Sequence, residues 1–125
     1  MSITVAVERI RQETTARFTF APYLLTVSDD GGPHAVAVDA AWEHDSLAMA
    51  VGKRSAQNAS ARPQVSLLWP PNEPGGYTLI VDGTAASIGD GRISVTPTRA
   101  VLHRPATEPG SMKPGCTADC VRILG

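Results

Sequence analysis

The distribution of apolar runs, turn signals and helix signals predicts a mainly β protein: an antiparallel barrel of about six or seven strands with two short helices. Short stretches rich in Val, Ile and Leu recur along the chain, as strands require. Asp29-Asp30-Gly31-Gly32 and Gly89-Asp90-Gly91 are hairpin-turn sequences. Helical periodicity is confined to two places, so helices can cover a sheet here but not alternate with its strands.

The elements follow in order. Ile3, Val7 and Ile10 recur at helical spacing among Glu8, Arg9, Arg11, Gln12 and Glu13, which predicts an N-terminal helix within residues 3–17. Tyr23 to Ser28 and His34 to Val38 flank the first turn and read as a hairpin. Ser46 to Val51 is a third strand after the turn around Glu43-His44-Asp45, and Gly52 ends it. Ser55 stands three residues before Asn58, a capping-box spacing that predicts a helix from Ser55 to Ala61. Pro63 stops that helix, Val65 to Trp69 forms a fourth strand, and Pro70 to Gly76 is a loop by its proline and glycine content. Tyr77 to Ile88 is the longest strand, Arg92 to Thr96 returns from it, and Val101 to His103 adds a short last one. Residues 1–105 are therefore expected to form the barrel domain. Residues 106–125, rich in Pro, Gly, Ser and Thr, are expected to form a partly extended C-terminal tail.

Composition narrows the function classes. A chain of 125 residues is one domain, and 42% hydrophobic with 18% charged residues is ordinary for a folded globular protein. Eleven basic against twelve acidic side chains give a net charge of −1, so there is no global field to hold a nucleic-acid backbone. No apolar run approaches the roughly 20 residues of a membrane helix, and the N-terminus lacks a basic region followed by an apolar one, so a cytoplasmic location is expected, with no membrane partner. Cys116 and Cys120 have no second pair to complete a zinc site; they are tail residues or a local disulfide, the latter disfavoured in a reducing cytosol.

Lys53-Arg54-Ser55 stands where a strand gives way to a helix. Two cations, a hydroxyl and the free amides of a helix start can converge there on one anion; the alternative is a basic pair that only solubilises a turn. Asn58, on the same helix, can reach a phosphate or face solvent. His34 can bind an anion, ligate a metal or titrate near neutral pH, or simply sit on the surface. Trp69, followed by two prolines, can stack on a planar ligand, pack across an interface or fill the core. Asp82 before Gly83 suggests a carboxylate bonded to backbone at a bulge. Glu43-His44-Asp45 offers three metal-ligand types, but adjacent side chains seldom face one point, and no metal site is expected. Ser55 and Ser66 have no visible base and orienting acid, which leaves a hydrolase triad with little support.

Arg62-Pro63-Gln64-Val65-Ser66-Leu67-Leu68-Trp69-Pro70-Pro71 resembles the fourth-strand segment of the pyridoxamine 5'-phosphate oxidase-like, FMN-binding split barrels. Tyr23 to Val27 with Pro33-His34 is similar to that family's opening hairpin, and Val81-Asp82-Gly83-Thr84-Ala85 to its long strand. The likeness runs over roughly residues 20–100 and implies a Greek-key split barrel. It also implies a homodimer with the ligand groove at the interface, and an oxidoreductase binding flavin mononucleotide or, alternatively, the deazaflavin F420. Arg54 falls on the family's phosphate-binding arginine, while Lys53, Ser55, Asn58, His34 and Trp69 complete the expected cofactor site. Several positions depart from the pattern. His34 and Asp39 stand where an arginine and a lysine are expected, Ala48 and Met49 where a tyrosine and a threonine are, and Thr78 where a glutamine is. These departures favour the alternative of a dimeric barrel that has lost flavin and binds another anionic ligand or none. Catalytic residues and substrate are not readable.

Overall fold

A computed structural model of the protein describes residues 3–105 and 118–124. Helix α1 (Ile3–Ala16) leads into strands β1 (Tyr23–Val27), β2 (Pro33–Ala37), β3 (Ala41–Glu43) and β4 (Ser46–Ala50). Helix α2 (Lys53–Ala61) follows, then β5 (Gln64–Trp69), β6 (Thr78–Gly89), β7 (Arg92–Pro105) and β8 (Ala118–Leu124). All strand pairs are antiparallel, in the order β2-β1-β5-β6-β7-β4-β3 with β8 also paired to β7. The sheet is open, with eight strands among the described residues, and its curvature gathers one core. This is a split-barrel architecture.

Alternation decides which side of each strand enters that core. Leu24, Val65, Leu67, Trp69, Leu79, Val81, Ile93, Val95 and Leu102 point inward at 0–5% exposure, while the residues between them face out. Helix α1 packs against β8 and reaches the β3–β4 hairpin through side chains: Val7 and Ile10 are buried, the Arg11 guanidinium stacks 5.1 Å from the Trp42 ring centre, and Trp42 Nε1 donates to Thr14 Oγ1 at 3.1 Å. Arg11 also donates to the His44 carbonyl, where the hairpin turns through a positive φ of 58°.

Three features differ from the sequence expectation. Strand β3 is only three residues long, too short to show alternation. Arg92–Pro105 is one strand rather than two, bent at a bulge where the register with β6 shifts between Asp82 and Gly83. Gly83 is required at that bulge, because a Cβ there would stand 2.6 Å from both the Thr96 oxygen and Val95 Cγ1. Finally, part of the expected tail belongs to the sheet: β8 pairs with β7 and buries Ile123 and Leu124. Cys116 lies outside the described residues, and so does any account of its pairing with the Cys120 side chain.

Candidate functional site

The basic turn lies where the sequence places it, but the helix starts earlier than its capping pattern suggests. Val51, just past β4, donates its N–H to the Gly91 carbonyl at 2.9 Å. Gly52 is then the N-cap, with extended backbone (φ −73°, ψ 171°) and no side-chain cap. Ser55 is therefore not the cap. It lies in the first helical turn and is buried at 2% exposure, so its backbone amide, not its hydroxyl, belongs to the open helix end.

Lys53 and Arg54 are both exposed on that first turn, and the turn carries no acidic residue. Cations at the positive end of a helix oppose the macrodipole, so this arrangement costs helix stability. The same superposition of uncapped amides and two cations is what an anion needs. Among the described residues neither side chain is in an ion pair.

The β1–β2 turn stands over the same helix. Arg62, just past its C-terminal end, donates through Nε to the Val27 carbonyl at 2.7 Å and pairs through Nη2 with Asp29 at 2.8 Å. Asp30 is held below its ordinary carboxyl range chiefly by the Ser28 hydroxyl, then by the Gly32 amide, with a smaller contribution from the Arg54 charge. Arg62 gave no separate signal in the sequence beyond its place before Pro63.

The remaining candidates divide. Asn58 is buried at 5% and donates through Nδ2 to Thr26 Oγ1 at 3.1 Å. Its amide ties α2 to β1 rather than reaching outward. Half-buried His34 is the register partner of Thr26 and shares its face, so it stands beside this tie on the edge strand β2. Trp69 is apart from all of these, 5% exposed within the core and paired in register with Leu79. The ring that a ligand would stack on is core packing. Asp82 does mark a bulge, but its carboxylate accepts from Ser66 Oγ at 2.6 Å and meets Arg99 at 3.5 Å instead of bonding to backbone.

The phosphate end of a flavin therefore fits this chain: uncapped amides of α2 with Lys53 and Arg54 beside them. The ring end has fewer side chains to use, because Ala48 and Met49 are buried at 2% and 1% and Asp39 presents an exposed carboxylate. Among the described residues no three His, Cys, Asp or Glu side chains gather to hold a metal ion, and no helix is long and apolar enough to cross a membrane.

No family model matches the chain. Two uncharacterized proteins, from Mycobacterium bovis and Mycobacterium tuberculosis, are each 41% identical to it over 117 residues, covering 79% of this chain and 82% of the relative. Among solved structures, an F420 reductase superposes with a TM-score of 0.57 at 20% identity, covering 70% of this chain and 94% of that one. A Clostridium acetobutylicum protein related to general stress protein 26, of the pyridoxinephosphate oxidase family, superposes at 0.62 and 9% identity over 98% and 97% of the two chains. A heme-binding protein from Mycobacterium smegmatis reaches 0.62 at 14% identity over 94% of this chain, which spans 58% of that longer one.

Proposed function

The chain belongs to the family of its two mycobacterial relatives and has the split-barrel fold of the pyridoxamine 5'-phosphate oxidase-like proteins, and from that premise we propose that it is a flavin-binding oxidoreductase acting on a small molecule. Its cofactor is flavin mononucleotide or the deazaflavin F420, held in a groove that two subunits share. The observation that carries this reading is the pair Lys53 and Arg54 on an uncapped helix start, an arrangement unfavourable for the helix itself and favourable for a phosphate. The fold's kinship with an F420 reductase supports the same cofactor class.

A bound flavin supplies the hydride chemistry. The chain's own part is to clamp the phosphate with Lys53, Arg54 and the first amides of α2, and to present backbone around Ala37 to Asp39 and Met49 to Val51 to the ring. His34 lies on the same edge strand, three residues before Ala37.

A second reading is a dimeric barrel that has lost flavin and takes another anionic ligand or none. The engagement of Asn58 with Thr26 and the burial of Trp69 favour it, since both side chains are withdrawn from a ligand.

Titration with flavin mononucleotide, followed by quenching of flavin fluorescence, separates the two. The flavin reading expects saturable binding, competition by the deazaflavin, and a loss of roughly 10- to 150-fold in Arg54→Ala, the equivalent of one charge-assisted hydrogen bond of about 1.5–3 kcal/mol. Binding of neither cofactor by the folded protein selects the second reading.

A further inference from the structure

The clamp on α2 belongs to the pole of the sheet where β1 ends and β5 begins. At the opposite pole, where β1 and β6 begin and β5 and β7 end, a groove of about 410 Å³ opens between the segment after α1 and the loop 70–77. Asn72 holds its two walls together. Its Oδ1 accepts the Thr19 N–H at 2.8 Å and its Nδ2 donates to the Arg17 carbonyl, so both ends of one amide are spent on joining loop to segment. The loop is itself stiff, because Glu73-Pro74-Gly75-Gly76 has the pattern of a type II turn: Gly76 donates to the Glu73 carbonyl at 3.1 Å, a proline stands second, and Gly75 takes a φ of 81° at the third place. A groove whose walls are fixed without a ligand binds one at lower ordering cost.

The lining says which chemistry fits. Phe18, buried at 9% exposure, closes the groove toward the core, and the Arg104 guanidinium lies over the Tyr77 ring, 4.4 Å from its centre. A planar guanidinium stacked on one ring can take a second ring on its other face. Tyr77 and Arg104 have further partners of their own, so the anion falls to Arg17. Arg17, its side chain 53% exposed, meets Glu13 through Nε at 3.1 Å, and a guanidinium with five donors still has a fork to offer a carboxylate. Among the described residues Glu73 is the one acid in the lining, so two guanidiniums against it leave a single positive charge, which suits a monoanion better than a phosphate dianion. The volume lies toward the small end of ligand sites and admits a single ring with its substituent.

We infer that this groove is a second ligand site, for a small aromatic carboxylate, with the carboxylate on Arg17 and the ring against the Arg104–Tyr77 stack. It uses no residue of the phosphate clamp and stands whether or not a flavin binds there.

Benzoate is the probe that tests it. Titrated into the full chain and followed in amide NMR spectra, it is expected to give saturable shifts at Arg17, Phe18, Gly75 and Gly76 and to leave Lys53, Arg54 and Ser55 unmoved. Arg17→Gln is expected to weaken binding roughly tenfold or more, as loss of a charge-assisted hydrogen bond does. Cyclohexanecarboxylate, equal in charge and close in size but without a π face, is expected to bind about two- to fivefold more weakly than benzoate. Glu73→Gln removes the opposing charge from an exposed position and is expected to tighten binding about two- to fivefold; it decides the matter if Arg17→Gln loses its fold by circular dichroism. Shifts that never saturate, shifts confined to α2, a folded Arg17→Gln chain that binds benzoate as the parent does, cyclohexanecarboxylate bound as tightly as benzoate, or a Glu73→Gln chain that binds no more tightly would each overturn the inference. Flavin binding is read at α2 in the same spectra, so the two sites fail separately.

Discussion

Asn58 shows how a side chain that reads as a ligand group can belong to the fold. Its amide is buried and bonded to the Thr26 hydroxyl at 3.1 Å, joining α2 to β1. Asn58→Leu leaves that hydroxyl buried without its partner and is expected to cost about 1–3 kcal/mol in chemical denaturation, while Thr26→Val added to it recovers most of the loss. Flavin affinity is expected to stay unchanged in the double variant. A large drop in affinity with stability restored would return Asn58 to the ligand site. Trp69 makes the same point: a tryptophan before two prolines is compatible with a ligand stack, and only the inward parity of β5 shows that the ring is core.

At the scale of elements, helix α2 is where local stability and the proposed function oppose each other. Lys53 is exposed on the first turn, whose amides have no capping side chain. Lys53→Glu places a carboxylate at the positive helix end and is expected to raise stability by about 0.3–1 kcal/mol while weakening flavin mononucleotide binding. Gain in melting temperature with unchanged affinity would remove Lys53 from the phosphate clamp. The sequence foretold this helix but misplaced its start, since Ser55 followed by Asn58 satisfies a capping pattern while Gly52, with no side chain to offer, gives no such signal. Hairpins were legible wherever both strands alternate and the turn is rich in Asp and Gly, as at β1–β2 and β6–β7. Strand β3 is too short to alternate, and β7 hides its continuity because Pro97 and the bulge interrupt the period. β8 was obscured by its position after a Pro- and Gly-rich stretch, although Val121, Ile123 and Leu124 were visible as its apolar residues.

At the scale of the whole molecule, flavin binding and subunit association are coupled if the flavin groove exists only between subunits. Lys53 and Arg54 stand on open surface in a single chain, so the second wall of any groove must come from elsewhere. A ligand that binds only the dimer stabilises it: with flavin mononucleotide at about a hundred times its dissociation constant, each of two such sites adds ~2.7 kcal/mol. The dimer dissociation constant is then expected to fall by roughly ten-thousandfold, measured by sedimentation across a dilution series with and without the flavin. Arg54→Ala, with binding about 10- to 150-fold weaker, should cut the effect at the same flavin concentration to between roughly threefold and a hundredfold and leave the dimer without ligand as it was. Equal dimer constants in the presence and absence of the flavin, with binding still saturable, would mean that one chain holds the cofactor by itself.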